Sequence, residues 1–308
     1  MAETIKGNCT HCGKPLEVPA DLEEFSCMYC GERMRLEVLQ DKPAMTVRCE
    51  EDLEYLREHL PDCVLKYPDH YKKLSKKDFI PTYEQYEAEN RDLFERMDRC
   101  AVQYPDGSDA LVREMCGVLM DAITAHIEGD SRFAKNNKRH ELFFEVKVVL
   151  AIFLTPMVRR MKLDLSEPFR EELHRQWKER YPKEEWTPGD YDTLISGFRK
   201  FRFCFITTAT CSFEGKPDDC AELTAFRRFR DGWLKNSDGG EALIREYYEI
   251  APAIVACIEY CDNPAVRYGE IRERWLSPCY QALQDDRPAD CRKSYIDMVQ
   301  TLKARYLS

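Results

Sequence analysis

The fold class turns on Glu141-Leu-Phe-Phe-Glu-Val-Lys-Val-Val-Leu-Ala-Ile-Phe-Leu154. The stretch is apolar on almost every side, which predicts the most buried helix of the chain. Its β-branched residues make a strand the competing reading. The surrounding chain, from Glu50 onward, reads as helix after helix. Thr82 with Gln85 forms a capping-box pattern, and Tyr83, Tyr86, Leu93, Phe94, Met97 and Ala101 follow at helical spacing. Pro105-Asp-Gly-Ser108 is a turn with Ser108 as the next N-cap. The helix after it carries Leu111, Met115, Val118 and Ala122 beside Val112, Cys116, Leu119 and Ile123. His126 continues that stripe and is expected as a half-buried core histidine.

Downstream, Ser131 to His140 is a basic, polar connection. His140-Glu141 opens like an H-E-x-x-H metalloprotease helix, but Phe144 stands where the second histidine belongs, which excludes that chemistry. Ser166-Glu-Pro and Thr187-Pro-Gly-Asp190 are two further helix starts. A seam between domains is expected near Pro182 to Asp190.

The 308 residues predict two or three domains, and 44% hydrophobic with 33% charged residues describes a globular chain. A formal net charge of −10 disfavours nucleic acid as a partner, despite basic clusters at Arg132–Arg139 and Arg199–Arg202. The N-terminus lacks the pattern of a signal peptide, and the longest clean apolar run, Val148 to Leu154, falls far short of a membrane span. Fifteen cysteines without a secretion signal imply a reducing compartment, the cytoplasm, and an odd count rules out complete internal pairing. No Gly-rich phosphate loop, G-x-S-x-G elbow or nucleotide fingerprint is present.

Near the N-terminus, Cys9-Thr-His-Cys12-Gly and Cys27-Met-Tyr-Cys30-Gly are two knuckles separated by fourteen residues. Each presents two thiolates from one tight turn, which is what a tetrahedral Zn2+ requires. Gly13 and Gly31 stand where a positive φ is cheap. Leu16–Pro19, Glu24–Ser26 and Met34–Leu39 read as short strands. The pattern resembles a zinc ribbon. Four thiolates close the coordination, so the zinc is expected to be structural. A redox role for the C-x-x-C pairs would need a strand–helix context that is missing. Docking of a protein partner is what the resemblance implies.

The C-terminal part is organised around Lys200-Phe-Arg-Phe-Cys-Phe-Ile-Thr-Thr-Ala-Thr-Cys-Ser212, where alternating aromatic residues give way to small and hydroxyl ones. That change suggests a backbone packed closely against something. Cys204-Phe-Ile-Thr-Thr-Ala-Thr-Cys211 resembles the signature of the bacterial CFI-box C-terminal domains, in a cysteine-containing branch. Lys216-Pro-Asp-Asp-Cys220, Phe226-Arg-Arg-Phe-Arg-Asp231, Tyr247-Tyr248 and Ala251-Pro252 agree with it. Where many members have alanine, tyrosine and glycine after the box, this chain has Thr210, Cys211 and Ser212. The resemblance spans about residues 199 to 305 and implies no activity. From the residues themselves, Asp218 or Asp219 is expected to cap a helix, with Leu223, Phe226 and Trp233 facing inward. Pro252 is expected to kink or restart the helix that carries Leu243, Tyr247, Ile250 and Ile254. Cys291, Tyr295, Met298, Leu302 and Tyr306 form the stripe of a last helix.

Three readings stand open for the C-terminal thiols. They are small buried hydrophobes; or Cys211, Cys220, Cys279 and Cys291 gather around a second metal, a set that the resemblance suggests and their irregular spacing does not; or Cys204 or Cys211 is a reactive thiol near Arg199, Lys200 and Arg202. No histidine follows His174, so a Cys–His pair would need His126 or His140. Together these observations predict a mainly α protein. A β zinc ribbon over residues 1–45 precedes a helical middle domain over 46–198 and a helical C-terminal domain over 199–308. The function expected is that of a cytoplasmic interaction or scaffold protein with a structural zinc. The alternative is a thiol-dependent enzyme or redox sensor using Cys204 or Cys211.

Overall fold

The computed structural model describes residues 4–9, 11–12, 14–36, 45–199 and 205–307. It is a mainly α protein with two small antiparallel sheets at its N-terminus. In the first sheet β1 (Thr4–Asn8) pairs with β2 (Pro15–Pro19), from Thr4 opposite Pro19 to Asn8 opposite Pro15. In the second, β3 (Glu24–Ser26) pairs with β4 (Arg33–Arg35). The period of two turns Leu16, Val18 and Met34 inward against Cys9 and Cys27, while their neighbours face water. β1 is not legible in the sequence, because Ile5 is its one large apolar residue and the strand exists through its pairing. Residues 37–39 of the expected last strand lie outside the described residues.

The chain divides into two compact units. The first comprises Met1–Lys66, Ala88–Asp130 and Val158–Arg180; the second comprises Tyr67–Glu87, Ser131–Met157 and Tyr181–Ser308. Residues from both of the expected helical domains, 46–198 and 199–308, therefore contribute to the second unit.

In the first unit, helix Ser108–Gly129 buries Leu111, Val112, Met115, Cys116, Leu119 and Ile123. It packs on helix Ser166–Arg180, where the Cys116 thiol donates to the Phe169 carbonyl (3.6 Å) and the Gln176 amide to the Arg113 carbonyl (3.1 Å). His126 is half-buried on that stripe, as expected. Asp52, only 4% exposed, is held by Arg96 and Arg99 at 2.5 and 3.1 Å. Burial without those cations would be costly.

The second unit is built on the stretch that decided the fold. Helix Asn136–Val148 passes into a π turn over Val149–Leu154, buried at every residue, and on into helix Thr155–Met161. Phe153 sits among His70, Phe79, Tyr83 and Tyr86, with ring centroids 4.9–6.1 Å away. In the π turn the Leu150 carbonyl receives the Thr155 N–H. The Ala151 carbonyl would receive residue 156 in the same pattern, but Pro156 has no N–H to give. Gly189 supplies the missing donor, its N–H lying 3.0 Å from the Ala151 oxygen.

Several local expectations change. Helix Phe79–Ala101 starts a turn before Thr82: Ser75 and Asp78 bond each other reciprocally (3.1 and 2.7 Å), and Pro81 falls in the first turn, where no N–H is needed. Helix Ser108–Gly129 begins at Ser108 itself, with Gly107 as N-cap at φ 87°. Asp218 pairs with Arg227 (2.6 Å) instead of capping, and helix Ala221–Arg228 starts from Cys220. Trp233 is 39% exposed, stacked on Phe229 (5.7 Å), because the π turn Phe229–Leu234 shifts it off the inward face. Helix Gly240–Cys261 continues through Pro252, which is buried, so the helix does not restart there.

Gly189 tests this account. A Cβ there would lie 2.2 Å from the Ala151 carbonyl oxygen and 3.1 Å from the Pro156 ring. Gly189→Ala is expected to destabilise the protein by about 1–3 kcal/mol, read as a shift in the urea midpoint. An unchanged midpoint would mean that the Ala151–Gly189 contact is dispensable.

Candidate metal centre

Cys9, Cys12, Cys27 and Cys30 converge, with all four sulfurs within 4.8 Å of one another. Cys9 Sγ lies 3.7 Å from Cys30 Sγ, and Cys12 Sγ 3.7 Å from Cys27 Sγ. A tetrahedral ion with metal–sulfur bonds of about 2.3 Å has sulfur–sulfur edges of about 3.8 Å. A disulfide would need about 2.05 Å. The geometry is therefore that of a tetrathiolate metal site, formed from two strand-to-turn corners that face each other.

Each knuckle is shaped by its own backbone. The Cys9 N–H bonds the Lys14 carbonyl (2.9 Å) and the Cys27 N–H the Glu32 carbonyl (2.8 Å), closing two matching loops. The His11 and Cys12 N–H groups point at Cys9 Sγ (3.4 and 3.5 Å), and the Tyr29 N–H at Cys27 Sγ (3.4 Å). Gly31 follows the second knuckle with φ 77°, the conformation that favours glycine there. Gly13 lies outside the described residues. Burial opposes ionisation of Cys27, but the N–H groups of Cys30 and Tyr29 outweigh it and bring the thiol down to about 6. His11 is exposed and is no part of the ligand set.

The other expected thiol sites are arranged differently. Cys204 lies outside the described residues. Cys211 is buried, and burial, with Glu222 and Cys220 adding to it, pushes its thiol up to about 12. It is a protonated core group at neutral pH. Cys220 stands beside Cys211, and Cys291 beside Cys279, whose thiol donates to the Cys291 carbonyl (3.6 Å). These four thus form two pairs, each within its own helix corner or hairpin. Among the described residues, the N-terminal set alone brings three or more metal donors together.

Helix Phe205–Phe213, the second half of the 200–212 stretch, does pack its backbone closely. The Tyr247 hydroxyl accepts from the Ile206 N–H (2.9 Å), satisfying a first-turn donor that the helix itself leaves unpaired. The Tyr295 and Thr207 hydroxyls meet at 3.2 Å, and the Thr210 hydroxyl donates to the Ile206 carbonyl (2.8 Å). The sequence marked Tyr247 and Tyr295 as members of apolar stripes. Nothing in a single chain announces that their hydroxyls serve this helix.

A cleft of about 1110 Å3 in the second unit was not foreseen either. Its more buried charges are satisfied by one another: Lys147 with Glu184 (3.0 Å), Arg132 with Glu145 (2.7 Å), and Asp262 with Arg267 (3.1 Å) and the Tyr306 hydroxyl (2.6 Å). Cys261, in its wall, is pushed up to about 12 by burial.

No family model matches the chain, no curated protein is similar to it, and no solved structure resembles it. Function is therefore read from the geometry alone.

Thiol reactivity separates these groups. Cys257, fully buried in helix Gly240–Cys261, is likewise pushed up by burial. In the folded protein at pH 7.5, Cys211 and Cys257 are expected to react with iodoacetamide at least roughly a hundredfold more slowly than in the unfolded chain, because the thiolate is the nucleophile. Pulse labelling with peptide mass spectrometry measures this. Fast modification of Cys211 would restore it as a reactive thiol.

Proposed function

We propose that the N-terminal module is a structural zinc ribbon and that the chain is a cytoplasmic interaction protein, with residues 199–305 belonging to the bacterial CFI-box domains. The observation that carries this reading is the closure of the metal centre. Four thiolates fill a tetrahedron, so no position is left for substrate or water. Zinc is favoured over other ions because soft thiolates at tetrahedral corners, with no redox role to serve, are its usual environment.

The exposed side chains point the same way. Met28 and Tyr29, at the tip of the second knuckle, are 76% and 52% exposed. Large apolar groups held out on a rigid, metal-braced turn are what a docking surface needs. Lys14 lies over the Tyr29 ring at 4.9 Å from its centroid.

Native mass spectrometry of freshly purified, reduced protein is expected to show one zinc per chain, lost in Cys27→Ser. Zero zinc would remove the ribbon reading, and two would restore a second metal site. Met28→Glu is expected to keep the zinc but lose the partner that a photo-crosslinker at position 29 captures in the cell. Absence of any discrete cross-linked species from the unsubstituted chain would remove the interaction reading.

A further inference from the structure

The second unit carries an apolar groove between the π turn Phe229–Leu234, helix Gly240–Cys261 and helix Pro288–Tyr306. Its enclosed part is small, about 50 Å3, and it opens to solvent; Phe229, Leu243, Tyr247 and Val299 supply its apolar wall. Two arginines reach it, and they differ in one respect. Arg230 is saturated, with two bonds of 2.7 Å to the Asp231 carboxylate and a third of 2.7 Å to the Tyr248 hydroxyl. Arg292 gives one N–H to the Asp238 carbonyl (2.8 Å), and its Nε is buried without a partner. Among the described residues no carboxylate lies within ion-pair range of Arg292. Glu246, also in the lining, is engaged by Lys303 at 2.7 Å.

A buried N–H with no acceptor and a partly buried cation with no counter-charge both cost free energy. An anionic group in the groove supplies the missing counter-charge, and a carboxylate accepts charge-assisted bonds from a guanidinium. The wall around it is apolar and is set before any ligand arrives: the Tyr247 hydroxyl is tied to the Ile206 N–H, and the neighbouring Tyr295 hydroxyl to Thr207. Such preorganisation lowers the ordering cost of binding.

We propose that this groove binds a small amphiphilic monocarboxylate. Its hydrocarbon or aromatic body lies on Phe229, Leu243 and Val299, and its carboxylate on the guanidinium of Arg292. The site is independent of the metal centre and of the interaction reading.

The probe is 3-phenylpropanoate, compared with its neutral isostere 3-phenylpropanamide, titrated calorimetrically into the full-length protein. The acid is expected to bind about tenfold or more tightly than the amide, as a charge-assisted pair requires. Arg292→Gln is expected to remove that preference. Val299→Trp, which fills the groove and leaves the guanidinium in place, is expected to remove binding of both. The proposal is overturned if the acid shows no saturable binding, if acid and amide bind alike, or if Arg292→Gln keeps the preference. The comparison of acid and amide on the unsubstituted protein decides the matter even where a variant fails to fold.

Discussion

A carbonyl with no donor of its own shapes the second unit. Pro156 cannot hydrogen-bond, so the π turn over Val149–Leu154 leaves the Ala151 oxygen orphaned in a fully buried setting. An unsatisfied carbonyl there would cost on the order of 1–3 kcal/mol. The chain meets it by bringing residues 187–190 across, where the Gly189 N–H reaches Ala151 and the Thr187 N–H reaches the Tyr260 carbonyl (2.8 Å). Only a residue without Cβ fits at 189, and the segment that holds it then caps the next helix: Asp190 Oδ1 accepts the Thr193 N–H at 2.9 Å. One missing donor therefore fixes the approach of the loop and the start of helix Tyr191–Arg199.

The N-terminal module answers a different shortage. Its apolar interior consists of Leu16, Val18 and Met34 with the cysteines, and partly buried Cys12, Phe25 and Leu36. At about 25 cal/mol per Å2, so few side chains cannot offset the ordering of some forty residues. Four thiolates on one ion would supply what the core lacks, and metal binding would then be coupled to folding. The two cysteines that lead each knuckle, Cys9 and Cys27, are buried and belong to this core, whereas Cys30 is exposed. A metal held by the four would join a packed interior to a surface turn.

How much of this was legible follows from how local each signal is. The knuckles are a fixed spacing of one residue type, so the ligands could be read directly from Cys9, Cys12, Cys27 and Cys30. Helical periodicity located Leu111 to Ile123 and the burial of 148–154, since both depend on neighbours within a few turns. The failures are non-local or hinge on single residues. Ser75 won the cap from Thr82 because Pro81 suits a first turn, and Trp233 was displaced by a π turn that leaves no mark in composition. Gly189 looked like part of a helix start. Its bond to Ala151 spans 38 positions, and a residue's role at that separation is set by the fold.

The thiols show the same division. Spacing alone distinguishes cysteines that act together from those that do not. The N-terminal four sit in pairs three apart, and N–H groups of their turns point at the Cys9 and Cys27 sulfurs; Cys27 is brought down by such bonds, whereas burial pushes Cys12 up to about 12. Cys211 and Cys257 lie in helix interiors, where backbone N–H groups are committed to helical carbonyls and cannot turn toward sulfur; burial is then the largest influence and pushes the thiol up. Among the described residues, the cysteines placed to hold a metal lie on turns, while Cys211 and Cys257 are buried within helices.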